Sequence, residues 1–371
     1  MKLKKSPLVK NLSLSCILLL SVMLVFSTSS CTKESITPPA TASNTAGTST
    51  KSMSITGATA ATTGLTVPSA ATLNTNTFAS ATYTPSGPVK YDGVNNITIS
   101  GLSITAGSGP AISISNAINV HITLCRLVNG TNVDAVGIYL FKCTNVTIDF
   151  CYINNVSTGV YASTSTGVYV ASNQMLNMRG PAPRGQFVQF NNCYGPGNKI
   201  LGNRFENVMG QSNPEDAINI YRSNGVSGNP IMIQANWIRG GGPSKSGGGI
   251  ALGDDGGTYQ TASDNVLINP GQYGIAIASG TQMSIVNNQI YGAQAWYTNV
   301  GIFAWNQYES SAGCSIITIS NNQVNFTAAG GYQNSSWNGG NCGTINGWNN
   351  NRWGTPDVNP TVLPSTMITA Q

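Results

Sequence analysis

The sequence predicts an all-β solenoid, a parallel β-helix with an asparagine ladder, on three observations. A unit recurs every 23 to 34 residues, its apolar residues alternate with a period of two, and an asparagine returns at one fixed place in it. No stretch of 3.6-residue periodicity is long enough for a helix, which disfavours helical solenoids and leucine-rich repeats.

The first element of the unit is a short strand. It reads Ala111-Ile112-Ser113-Ile114, Gly137-Ile138-Tyr139-Leu140, Phe187-Val188-Gln189-Phe190, Ala217-Ile218-Asn219-Ile220, Gly249-Ile250-Ala251-Leu252, Gly274-Ile275-Ala276-Ile277 and Gly301-Ile302-Phe303-Ala304. The second element is the asparagine, at Asn173, Asn203, Asn236, Asn265, Asn288, Asn322 and Asn350. Stacked coils lie about 4.8 Å apart, so equivalent side chains form rows along the axis. Inward Ile, Val and Leu fill the core, and a buried asparagine satisfies its amide against its neighbours and the turn backbone. Cys125 and Cys151 fall at the asparagine position of two earlier coils and read as buried ladder members. Cys314 and Cys342 should stack one coil apart, and a disulfide between them suits an oxidising compartment.

The ends of the chain carry different signals. Lys2, Lys4, Lys5 and Lys10 precede the apolar run Ile17–Phe26 and small residues up to Cys31. Residues 1–30 therefore read as a lipoprotein signal peptide, with Cys31 as the lipidation site and Thr28 where a leucine is usual. Residues 31–64, rich in Ser, Thr, Ala and Pro, read as a disordered tether, and residues 65–371 as the β-helix domain. This predicts a monomeric, membrane-anchored lipoprotein at the outer membrane or cell surface, with a periplasmic or secreted protein as the alternative. Losing four of 17 basic residues leaves 13 against 12 acidic ones, a near-neutral chain with no electrostatic footprint for nucleic acid. The single histidine, His121, and the absence of CxxC spacing argue against a Cys/His zinc site and against Ser-His-Asp chemistry.

Over about residues 88–353 this layout resembles the pectate-lyase-like superfamily of right-handed, single-stranded parallel β-helices. Pro214-Glu215-Asp216-Ala217-Ile218-Asn219-Ile220 is similar to the Asn-Thr-Asp-Gly-Ile-Asp-Ile motif of polygalacturonase-type glycoside hydrolases, which places Asp216 on their first catalytic aspartate. Gly247-Gly248-Gly249 stands where that family carries an Asp-Asp pair, Tyr273 where it carries a histidine, and its Arg-Ile-Lys motif has no counterpart near Gly301. The resemblance implies an enzyme acting on polysaccharide with a catalytic set of its own.

The residues themselves offer two adjacent acidic pairs on neighbouring coils, Glu215-Asp216 and Asp254-Asp255. Such pairs divide acid and base roles, or hold Ca²⁺ through oxygen ligands; otherwise they are solvated turns. No other cofactor is indicated. Aligning Ala217 with Gly249 sets Asp254 beside Arg222 and puts Asp216 and Asp254 six positions apart. That is roughly 20 Å at about 3.3 Å per residue, too far for a hydrolytic pair. Tyr273 and Lys245 are candidates to take a proton beside a uronate. Arg184, Asn219, Arg222, Arg239 and Trp305 are candidates to bind the glycan, with Arg179, Trp296 and Tyr297 nearby. The expected function is cleavage of glycosidic bonds in a polysaccharide, uronate-containing in one version, by hydrolysis or β-elimination. The alternative is a non-catalytic glycan-binding or adhesive surface protein.

Overall fold

Each coil lays down three short strands, and every pairing between coils is parallel. The computed structural model describes residues 67–368 apart from 75 and 245. The signal peptide, Cys31, the tether and Lys245 lie outside the described residues.

Three faces result, the site and middle ones joined into a single sheet through the long strand Ile250–Ser263. A site sheet runs from Val89–Asp92 to Ser336–Asn338, a middle sheet from Ile97–Ser100 to Ile345–Asn346, and a ladder sheet from Thr84–Ser86 to Arg352–Trp353. The expected register holds, with Ile218 opposite Ile250 and Ile250 opposite Ile275. Ile112, Ile138, Val160, Val188, Ile218 and Ile250 therefore form one inward row, fully buried. Val160–Ser163 is a coil that the repeat pattern did not include, and it places Tyr161 in the outward row beside Tyr139.

The corner before the ladder sheet explains the asparagines. Ser172, Gly202, Ala235, Asp264, Asn287 and Asn321 adopt positive φ there, which turns the chain and aims the next side chain inward. Asn203 then donates from Nδ2 to Asn236 Oδ1 at 2.9 Å and to the Val170 carbonyl at 3.0 Å, and the pattern repeats coil by coil. Cys151 joins the row as expected, its N–H donating to Asn173 Oδ1 at 2.9 Å, with Cys125 one coil below. Burial raises the Cys151 thiol well above its usual range, which keeps it inert. The last rung is Asn351 and not Asn350: a 3-10 turn at Trp348–Asn350 adds a residue, and Asn351 Oδ1 accepts from Asn322. Cys314 and Cys342 form the expected disulfide.

The first and last of the described segments lie across the outside of the ladder sheet. Leu73, Phe78, Leu363, Met367 and Ile368 cluster with Val128, Tyr152 and Ile268. Arg204 donates to the carbonyls of Ala70 and Met367 at 2.9 and 3.1 Å. Arg239, a candidate glycan ligand, is committed in the same way to Glu206 and to the carbonyls of Ser365 and Pro364. The third strand of its coil belongs to this covered sheet, so Arg239 is not a groove residue.

Candidate active site on the outward face of the site sheet

The outward row of the site sheet reads Ser113, Tyr139, Tyr161, Gln189, Asn219, Ala251, Ala276, Phe303 and Trp337, in successive coils. Its centre is Asn219, fully buried, whose Nδ2 donates to Asp216 Oδ2 at 2.6 Å and to Asp254 Oδ2 at 2.7 Å. Those two oxygens can be no farther apart than the sum of these distances, about 5.3 Å.

This overturns the roughly 20 Å separation expected from unbroken register. Asn219 pairs with Ala251 but Tyr221 pairs with Asp254, so the later strand holds one extra residue. The bulge falls at Gly253, with φ +64°, where a Cβ would collide with the Ser279 carbonyl. Bulges re-aim side chains next to functional sites, and this one turns Asp254 into the groove. Asp255, and not Asp254, pairs with Arg222, whose Nε donates to Asp255 Oδ2 at 2.7 Å. Asp255 also accepts from Ser311 at 2.8 Å, on the wall of a recess of about 480 Å³ lined by Arg222, Gly256, Thr258 and Thr281.

Two tyrosines complete the centre. Tyr273 donates to Asp216 Oδ1, which also accepts from the Gly248 N–H at 3.1 Å. Tyr308, absent from the candidates, donates to Asp254 Oδ1 at 2.5 Å. Burial, followed by the neighbouring carboxylates, raises both phenols above their ordinary range. They therefore remain proton donors at neutral pH, and Tyr273 is not poised as the base the sequence suggested.

The adjacent acidic pairs do not act as pairs. Glu215 turns away from Asp216 to Ser246 at 2.9 Å and Ser244 at 3.2 Å. Among the described residues, no three acidic, His or Cys side chains converge at Glu215-Asp216 or Asp254-Asp255.

The floor beyond Asn219 is low because Ala251 and Ala276 carry only methyl groups. Aromatic rings rise at either end. On one side Tyr139 and Tyr161 stack at 5.7 Å, with the Arg184 guanidinium 4.4 Å from the Tyr161 ring. On the other, Tyr273 meets Phe303 edge-on at 5.3 Å, and Trp337 lies 6.3 Å from Phe303 and 5.5 Å from Trp305. Trp305 lies at this end of the outward face, whereas Trp337 has no Gly-Ile-x-Ile strand to announce it. Of these rings Tyr161, Tyr273 and Phe303 are buried, and Trp337 is exposed and could stack on a sugar ring.

A family model described as a right-handed β-helix region matches residues 40–175. The fold is a right-handed parallel β-helix. No curated protein matches the chain. Among solved structures, a catalytic domain of a GH87 α-1,3-glucanase in complex with nigerose is 13% identical, covering 73% of this chain and 61% of that one, with a TM-score of 0.46. An alginate lyase from Paenibacillus sp. str. FPU-7 is 13% identical over 75% of this chain and 97% of that one, with a TM-score of 0.45. PfbA, a surface adhesin of Streptococcus pneumoniae, is 13% identical over 68% and 71%, with a TM-score of 0.34. The chain spans about six tenths of the glucanase domains it matches.

Proposed function

We propose that this right-handed β-helix is an exported enzyme that hydrolyses glycosidic bonds of a polysaccharide lying along the outward face of the site sheet. The observation that carries this reading is the meeting of Asp216 and Asp254 at Asn219. Glycoside hydrolysis runs on two carboxyl groups, about 5–5.5 Å apart where one attacks the sugar directly and about 6.5–9.5 Å apart where a water stands between them. The bound of about 5.3 Å between the facing oxygens favours direct attack. Asp216, accepting from three donors, suits the role of nucleophile. Asp254, which accepts from Tyr308 and Asn219, would have to take up a proton from solvent before serving as the acid that protonates the leaving oxygen. The attacked anomeric carbon would bond to Asp216 while the glycosidic oxygen leaves with the Asp254 proton, and water would then release the sugar.

A panel of polysaccharides tests this. New reducing ends without ultraviolet absorbance are expected; an unsaturated, absorbing product would mean elimination instead. A second reading, glycan binding without turnover, is favoured by the fact that all four carboxylate oxygens already accept protein hydrogen bonds. It is the reading that remains if no polysaccharide is cut.

We also propose that the enzyme is displayed from a membrane by a lipid on Cys31, supported by the charged, apolar and small-residue segments that precede it. Fatty-acid labelling in cells should mark the wild type and not Cys31→Ala. Unlabelled wild-type protein would retire the anchor.

A further inference from the structure

We infer that the Cys314–Cys342 disulfide and Asn341 are positioning residues for the reaction: they pin segment 305–313 so that Tyr308 fixes the Asp254 carboxylate in the groove. This deepens the reading above and rests on it for its effect on rate.

Segment 305–313 joins the site-sheet strand Val300–Ala304 to Cys314–Ser315, and on the way it runs back along the stack. Trp305 and Gln307 donate their N–H groups to the carbonyls of Ile277 and Ala278, one coil back, at 3.0 and 2.8 Å. Ile302 pairs with Ile275 and Ile275 with Ile250, so the Tyr308 hydroxyl, donating to Asp254 Oδ1 at 2.5 Å, has reached two coils back. Ser311 follows onto Asp255 Oδ1 at 2.8 Å, and the Gly313 carbonyl accepts from the Gly280 N–H at 2.6 Å. A distant coil thus supplies a donor to each of the two adjacent aspartates.

The segment is fastened from the opposite direction. The turn after Ser336–Asn338, one coil further on, meets both of its ends. Asn341 Oδ1 accepts from the Asn306 N–H at 2.8 Å, and its Nδ2 donates to the Asn306 carbonyl at 3.0 Å and to Glu309 Oε1 at 2.5 Å. The next residue, Cys342, is fully buried and bonded to Cys314, where the segment ends. Between these anchors Asn306 accepts from the Tyr308 N–H at 3.1 Å and donates to the Ala312 carbonyl at 2.9 Å, closing the segment on itself. Gln307, Glu309, Ser310, Ser311 and Gly313 are exposed, so polar clasps and one covalent bond set its position more than packing does.

Asp254 leaves its strand at a bulge, and a donor on each oxygen, Asn219 on Oδ2 and Tyr308 on Oδ1, fixes the plane of its carboxyl group. A misplacement of about 1 Å costs roughly 10²-fold in rate, so the anchorage of that donor bears on kcat more than on binding.

The test crosses the disulfide with the phenol. Dithiothreitol opens the Cys314–Cys342 bond to two thiols while its own two thiols become a disulfide, and the Cys314→Ser, Cys342→Ser double variant reaches the open state without reductant. Tyr308→Phe should lower kcat by about 10- to 100-fold with KM within a few-fold. Reduction should lower wild-type kcat by about tenfold or more, reversibly, yet change Tyr308→Phe by less than about threefold, because both act through one contact. Asn341→Ala keeps the disulfide and should act in the same direction, which covers a reduced protein that loses its circular dichroism. Independently of turnover, the ¹³Cζ resonance of Tyr308, assigned by its loss in Tyr308→Phe, should shift on reduction and in Asn341→Ala. A resonance unmoved in both overturns the inference, as does a fall in kcat on reduction that is equally large with and without the Tyr308 hydroxyl. A resonance that moves in a protein that cuts no polysaccharide defeats the hydrolase reading alone.

Discussion

Asp216→Asn should lower kcat by about 10³-fold or more while the protein keeps its fold and its affinity for glycan. Removing an essential carboxylate costs the charge and the covalent or proton-transfer step it serves, typically about 10²–10⁴-fold for acid–base function alone. An amide keeps nearly the same shape, so the Asn219 and Tyr273 neighbourhood can persist. Asp254→Asn should act comparably, and the double variant should lose little more than either alone, because groups that work as a unit are not additive. The measurement is initial rate against substrate concentration, with melting temperature and glycan affinity alongside. Activity within a few-fold of wild type in both single variants would remove Asp216 and Asp254 from the chemistry and leave the groove as a binding surface.

The second large effect is on stability. Asn236→Ala should destabilise the solenoid by about 3–5 kcal/mol, in the range of a broken buried hydrogen-bond network. Asn236 is fully buried, and its amide makes four hydrogen bonds. It accepts from the Asn203 backbone and side chain, and donates to Asn265 and to the Ile200 carbonyl, all at 2.9–3.0 Å. Each net bond is worth only about 0.5–1.5 kcal/mol, but truncation strands partners on both adjacent coils, and an orphaned buried group costs about 1–3 kcal/mol. Ser315→Ala, at an exposed residue, should stay within about 0.5 kcal/mol. Denaturant melts of the two variants against wild type decide it; equal midpoints would mean that the ladder is dispensable.

These two sites differ in how far they could be read from residues alone. A ladder residue is chosen by its own coil: an αL corner needs an inward amide behind it, and the requirement recurs with the period. The repeat therefore located six of the seven asparagines, and the slip from Asn351 to Asn350 came from one 3-10 turn that the period does not encode. The groove is assembled across coils, where one inserted residue changes the neighbour. Gly253 in front of Asp254-Asp255 was the available signal, since a glycine inside a strand pattern marks a bulge. Taking the register as unbroken moved Asp254 away from its partner and assigned Arg222 to the wrong aspartate. Tyr308 comes from a long loop whose path no periodicity describes. Tyr161 was within reach, because Gly159-Val160-Tyr161-Ala162 follows the same pattern as the recognised coils.

The arginine clasps on the ladder sheet change how the solenoid comes apart. In a stack where each coil touches only its neighbours, the two ends fray independently. Here Arg204 ties Ala70 to Met367, partners 134 and 163 residues distant in the chain. Peeling away residues 363–368 thus bares the guanidinium that also holds Ala70 and uncovers Leu73 and Phe78, which share one apolar cluster with Leu363 and Met367, so the two described end segments loosen together.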